Sequence, residues 1–396
     1  MKIHQASFTR VGGQGTCDGW QTVNVSPGAP ADAVASFSRF QSSNVHDPEF
    51  DEEDKGEKIV TELQADGNCV FLTRIKYGLK DQLGRPSMFA NSFFIGINEF
   101  ARNPQAVLGI KGENFRFDVE STKPDAHEVL LSEKLSLTAA AESIGLSREM
   151  HLVLARCVLH AQGISTKAAL HLICDCAEET VRYAMFCICM SVPYSFRRIM
   201  SFSTCNAPPS AQKAVVFDRR LKNSSHLFFD LSTGKNNVLT EAAEKRLEWY
   251  DFADIAAIDD VLARLGDQLS TSIDLIKLAC ETACSGLSGD YLEKLSDEGL
   301  HRRLNELLSS GISQNALMDE QVGLTLGEVV RRRIVLNDIV AEKLSGYLEK
   351  ATSRPLIDTG SAYAAMTGIV IPAAVGMPAG KKAKKARNSI WALLRK

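Results

Sequence analysis

The chain has 396 residues, of which 45% are hydrophobic and 23% charged, and a formal net charge of −3. That length holds about two or three domains with a full core, and that balance excludes a disordered chain and a globally basic nucleic-acid binder. Its ten cysteines, behind a polar N-terminus (MKIHQASFTR) with no apolar signal core, predict reduced thiols in a cytoplasm rather than a disulfide framework.

Residues 1–118 read as β-rich. Lys2–Val11 and Trp20–Ser26 carry β-formers on either side of Gly12-Gly13-Gln14-Gly15, which predicts a hairpin. Ser26-Pro27-Gly28-Ala29-Pro30 ends the second strand, because proline offers no ladder donor. The carboxylate-rich stretch Pro48–Lys58 reads as a solvated loop. Val70–Tyr77 and Ser92–Asn98 are the next strands, with Gly84-Arg85-Pro86 turning between them.

Residues 119–250 switch to helical periodicity and then back. Ser136–Gly145, Ser147–Gln162 and Ser165–Met190 carry caps and apolar residues at i, i+3 and i+4. Ala214–Phe217 and His226–Asp230 read as returning strands, followed by a Ser232-Thr233-Gly234 turn. Residues 251–350 are a series of amphipathic helices, and 351–396 are an Ala/Gly-rich apolar segment with a basic tail. The expected class is α+β: a β-rich N-terminal domain with a helical layer, completed by 119–250, then an α-helical domain and the tail.

Cys174/Cys176 and Cys187/Cys189 have one residue between their members, inside what reads as a single helical run. Residues two apart on a helix diverge by about 200°, and zinc prefers wider spacing on turns, so core cysteines are expected. Cys280 and Cys284 share a helix face and read as a core stripe. Leu137–Val158 imitates a helix-turn-helix, with Gly145 at the turn and Ser147 as a cap. Its second helix offers little beyond Arg148, Glu149, His151 and Arg156, so a packed hairpin is expected rather than DNA reading.

No Walker-type phosphate loop occurs, Gly12-Gly13-Gln14-Gly15 precedes no helix, and Ser232-Thr233-Gly234-Lys235 lacks the spacing. No catalytic triad or nucleophile elbow can be assembled; His4, beside Gln5, is the most pointed histidine. A non-enzymatic protein without cofactor or metal is therefore expected.

The tail is uncharged from Thr359 to Gly380, and Lys381, Lys382, Lys384, Lys385 and Arg387 follow. Ile369, Val370 and Ile371 lie in its apolar run, and Trp391 in a short amphipathic end. Length and basic flank suit membrane contact, while Pro372, Pro378 and the Ala/Gly content weigh against a span. Docking on a partner is the other reading.

Four segments, IHQASFTRV, GRPSMFANSFFI, IGLSREMHLVLARCVLHAQG and SVPYSFRRIMSFST, occur in the order and at about the spacing of one family. Together they resemble the N-terminal domain of the bacterial GTPase-associated protein families, components of NTP-dependent conflict systems encoded beside a GTPase. Ile3, His4 and Gln5 match that family's opening strand. Gly84, Arg85 and Pro86 match its Gly-Arg-Pro-Gly turn, with Ser87 for the last glycine and Asn91 where a histidine is expected. Val192, Pro193, Arg197, Arg198 and Ser201 to Thr204 match its helix end, arginine pair and following strand.

The resemblance covers roughly residues 1–250. It implies a non-enzymatic sensor or adaptor subunit of an antiviral defence system, acting with a GTPase or other NTPase in a multi-protein complex. No sequence-specific nucleic-acid contact is implied. Arg85, Arg197 and Arg198, with His4, are the candidate ligand- or anion-binding side chains. Ile369, Val370, Ile371, Lys381, Lys382, Lys384, Lys385 and Trp391 are the candidates for membrane or partner contact. Two other classes compete: a membrane-directed effector whose tail enters a bilayer, and a hydrolase built on His4. The expected setting is cytoplasmic, with membrane association through the tail.

Overall fold

The computed structural model describes residues 3–11, 19–43, 59–80, 86–117, 135–164, 168–204, 213–221, 223–265, 268–285, 292–293, 295–309, 314, 316–351 and 353–368. The chain divides into two compact units, residues 1–259 with 269–273, and residues 260–268 with 274–396. The class is α+β, as the periodicities indicated.

In the first unit, β1 (His4–Val11) and β2 (Gly19–Val25) form the expected antiparallel pair. The second strand stops at Val25, where Ser26 N–H donates to the Gln5 carbonyl and Gly28 takes φ +76° ahead of Pro30. Helix α1 (Ala31–Ser43) and strand β3 (Ile59–Asp66), neither foreseen from the sequence, come next. β4 (Cys69–Lys80) and β5 (Pro86–Gly96) complete an antiparallel meander with β3, and β5 also pairs with β1.

One face of this meander is apolar at every second position, as the pleat requires. Ala6, Phe8, Phe71, Ile75, Ala90 and Phe94 pack there against Ala33 and Phe37 of α1. Phe37 lies edge-on to Phe8 at 6.5 Å and stacks on Phe71 at 6.1 Å.

Short helices α2 (Ile97–Arg102) and α3 (Gln105–Leu108) follow β5. α4 (Leu137–Ser143) and α5 (Arg148–Leu159) start at the anticipated caps, Ser136 and Ser147, whose hydroxyls accept from Ala139 N–H and Met150 N–H. Helix α5 is an interior helix, as a packed hairpin demands. His151, Leu154 and Val158 are buried, Arg156 donates to the Glu248 and Tyr250 carbonyls, and Arg148 pairs with Asp251 at 3.1 Å.

The expected helix Ser165–Met190 is instead strand β6 (Leu170–Ile173), a loop, and helix α6 (Glu178–Met190). A four-residue strand, Leu-His-Leu-Ile, buried in a parallel sheet is too short for its period to separate it from a helix. Then come α7 (Tyr194–Ile199), β7 (Phe202–Ser203), β8 (Val215–Asp218), β9 (Leu227–Asp230) and α8 (Glu241–Leu247). The nine strands make one sheet in the order β2-β1-β5-β4-β3-β7-β8-β6-β9. Its second part is parallel: β7 with β8, β8 with β6, and β6 with β9.

Helix α9 (Ile255–Leu265) carries the chain into the residues of the second unit. There α10 (Ile273–Ser285), α11 (Asp297–Ser309), α12 (Ala316–Arg331), α13 (Asp338–Leu348) and α14 (Arg354–Thr367) follow. α12 packs on α11 and α14 around Leu304, Val322, Leu326 and Val329. Arg332 binds Glu328 at 2.6 Å and donates to the carbonyls of Leu292, Glu293 and Leu295.

The first part of the expected tail belongs to this helical unit. Leu356 and Tyr363 of α14 are buried, and the Tyr363 hydroxyl accepts from Leu336 N–H at 3.0 Å. Gly368, at φ +73°, ends the helix in the left-handed conformation. The helical boundary expected at 350/351 therefore moves to 368, and what remains of the uncharged run, 369–380, is well short of the roughly 20 residues of a helical span. Among the described residues no helix is long and apolar enough to cross a membrane. Ile369, Val370, Ile371, Lys381, Lys382, Lys384, Lys385 and Trp391 lie outside the described residues.

Candidate functional site

The other face of the meander carries a row of polar side chains. Strand register sets Ser7 of β1 beside Asn91 of β5, Asn91 beside Arg74 of β4, and Arg74 beside Thr61 of β3. Thr61 and Thr204 continue it past β7, since Thr61 N–H donates to Thr204 Oγ1 at 2.9 Å and Thr204 N–H donates to the Thr61 carbonyl. At the β1 end the row is closed. Asn91 is fully buried, accepts from Gln5 Nε2 at 2.9 Å and donates to Ser7 Oγ at 2.7 Å. A buried amide needs such partners, and here they fix which way it points.

At Arg74 the row opens into a pocket of about 120 Å³. Leu72, Ile110, Phe115, Val181 and Phe202 wall it, and Thr61, Arg74, Cys176, Glu178, Arg182 and Thr204 supply its polar atoms. Arg74 Nη1 bonds Glu178 Oε2 at 3.0 Å, and its guanidinium lies 5.7 Å from the centre of the Phe115 ring. The other Glu178 oxygen accepts Gly112 N–H. A Cβ at Gly112 would sit 2.0 Å from both Arg74 Nη1 and Glu178 Oε2, so the close approach needs glycine there. Arg182, on α6, is buried with its guanidinium 5.0 Å from the Tyr183 ring and within 3.5 Å of the Gly109 carbonyl.

Cys174 and Cys176 lie in the loop between β6 and α6, not on a helix as expected, because the run that contains them breaks into strand and turn. Cys176 takes φ +58°, uncommon for a residue with a side chain. Its N–H donates to Cys174 Sγ at 3.3 Å. The hydrogen bond from the Cys176 thiol holds Cys174 below the usual thiol range against the effect of burial. The same bond, then burial, pushes Cys176 up. Cys187 and Cys189 of α6 are core cysteines, as expected, and burial pushes each up to about 12. Among the described residues no group of three His, Cys, Asp or Glu side chains is placed to hold a metal.

Near the carboxyl end of β8, His171 Nδ1 is 2.6 Å from Asp218 Oδ2, both side chains buried, and the His226 ring stacks on His171 at 4.1 Å. Burial, then the neighbouring His171, lowers the His226 pKa against the opposing effect of Asp218.

The ligand candidates named from the sequence do not gather in the row. His4 belongs to the opposite face of β1, its ring 5.6 Å from that of Phe94. Arg197 bonds the Val192 and Ala101 carbonyls at 2.9 and 3.1 Å and approaches Asp259 at 3.5 Å, which makes it a buried pin for α7. Arg198 follows it on the same helix, with Nε buried and lacking a hydrogen-bond partner. Arg85 lies outside the described residues.

What does converge is Gln5, Ser7, Asn91 and Thr204, all from the matched segments, together with Arg74 and Arg182, which sequence reasoning missed. The signal for those two was a cation inside an otherwise apolar strand (VFLTRI) and another inside an apolar helix (TVRYAMF). No protein-family model, curated protein or solved structure matches this chain.

Proposed function

We propose that the chain is a sensor or adaptor subunit that takes a small oxyanion group in the Arg74–Arg182 pocket and acts with a partner GTPase or other NTPase of an antiviral defence system. The observation that carries the binding half is the charge and shape of the pocket. Two guanidinium groups and two threonine hydroxyls face one carboxylate, in a space suited to a phosphate- or carboxylate-sized group. The partner half rests on the resemblance of the four segments, three of which supply Gln5, Ser7, Asn91 and Thr204 to the row.

The binding half is tested by thermal unfolding of the full chain in inorganic phosphate, pyrophosphate and acetate at constant ionic strength. A ligand of the native state raises the midpoint with its concentration. Phosphate or pyrophosphate is expected to do so, and Arg74→Lys, which keeps the charge but not the fork, to bind about tenfold more weakly. A midpoint insensitive to all three anions, or an unchanged affinity in Arg74→Lys and Thr204→Val, contradicts the reading. Co-elution with a GTPase encoded beside this chain tests the partner half, and separate elution under all nucleotide states counts against it.

A further inference from the structure

Cys174 and Cys176 lie in the turn between β6 and α6, and Cys176 lines the pocket. Both are free cysteines and half-buried. The loop folds back on itself: Cys176 N–H donates to Cys174 Sγ at 3.3 Å, and Cys176 Sγ lies 3.8 Å from the Cys174 carbonyl oxygen. Those two contacts fold Cys176 back onto Cys174 across the single residue Asp175. Helix α6 begins two residues later, with an N-cap, Ala177, whose side chain satisfies none of the exposed amides.

We propose that Cys174 and Cys176 are a redox pair: a hydroperoxide oxidises Cys174, and Cys176 resolves the product to an intra-loop disulfide. In the first step the Cys174 thiolate attacks the peroxide oxygen. An S–O bond forms, the O–O bond breaks, and hydroxide leaves and takes up a proton as water. In the second step Cys176 loses its proton and attacks the Cys174 sulfur. An S–S bond forms, the S–O bond breaks, and the departing hydroxide takes that proton as a second water. The pair loses two electrons and one equivalent of peroxide is reduced. A disulfide across a single intervening residue closes a small, strained ring, which places it among the easily reduced, regulatory disulfides.

The neighbouring chemistry supplies internal controls. Cys69 is also half-buried, yet burial and then Asp32, Glu99 and Asp66 push its thiol up. Cys157, Cys187 and Cys189 are buried, and burial raises each. Of the two loop cysteines, only Cys174 is lowered, by its hydrogen bond from Cys176 and against burial, Asp175 and Asp218; Cys176 is raised like the other four. This chemistry stands apart from the oxyanion reading, and its test reads no ligand.

The full-length protein is titrated with hydrogen peroxide, blocked with a thiol alkylator, digested and weighed peptide by peptide. The peptide carrying both cysteines is expected to lose two hydrogens and its alkylation at about tenfold less peroxide than Cys69 needs, and to recover both with dithiothreitol. In Cys176→Ser the resolving sulfur is gone, so Cys174 is expected to accumulate as a sulfenic acid captured by dimedone. Cys174→Ser is expected to leave Cys176 no more reactive than Cys69. Oxidation of the two at the pace of Cys69, or sulfinic acid on both without a linked form in the native chain, overturns the proposal. Circular dichroism of each variant, with Cys69→Ser in parallel, separates lost chemistry from lost fold.

Discussion

Glu62 and Lys213 are a charged pair that the fold takes almost wholly out of water, at 2% and 5% exposure and 3.6 Å apart. Ser203 Oγ donates to Glu62, and Lys213 Nζ donates to Gln64 and lies 5.0 Å from the Phe40 ring centre. Burial lowers the Lys213 pKa, and Glu62 opposes that shift. Such a pair stabilises little by itself, but removing one member strands the other. Lys213→Met is therefore expected to cost about 3–5 kcal/mol in urea unfolding. The double variant Glu62→Leu with Lys213→Met is expected to recover most of that. A double variant as weak as the single one would show that packing, rather than the stranded carboxylate, sets the loss.

At the scale of elements, α14 is part of the core of the helical unit. It inserts Leu356 and Tyr363 into the helical unit and ties Tyr363 to the backbone of Leu336. Truncation after Gly368 keeps all of α14 and serves as the reference. Truncation after Ser353 removes the Tyr363 anchor and is expected to cost about 3–5 kcal/mol or to abolish the folded unit, as read by circular dichroism. Equal behaviour of the two truncations would remove α14 from the core.

The same elements show what the sequence made legible. Ser136 and Ser147 announced their helices because a cap is a local device, and the β1–β2 pairing was legible in two runs of β-formers close in sequence. β6 was hidden in an apolar run, and α1 among serines and alanines whose helical face shows only once Phe37 meets the sheet. The candidate site was legible in pieces. Gln5, Asn91 and Thr204 stood in segments already singled out, but their alignment with Arg74 is a matter of register between distant strands, which no local pattern encodes.

At the scale of the molecule, one nine-stranded sheet is made of an antiparallel part and a parallel part joined by β7, a strand of two residues. Phe202 and Ser203 pair with Leu63 and Glu62 on one side and with Val215 and Val216 on the other. The contact from Thr61 to Thr204 spans 143 positions of sequence, whereas β3, β4 and β5 are near neighbours along the chain. Closing so long a loop costs entropy before any contact returns it, so nearby strands have the head start. The narrowness of β7 thus becomes a statement about time: the two parts of the sheet organise separately and the join forms last. Pulsed hydrogen exchange during refolding is expected to protect the amides of β3 and β4 before those of Thr204 and Val215, which donate to Thr61 and Ser201. Simultaneous protection would mean that the sheet condenses as one piece.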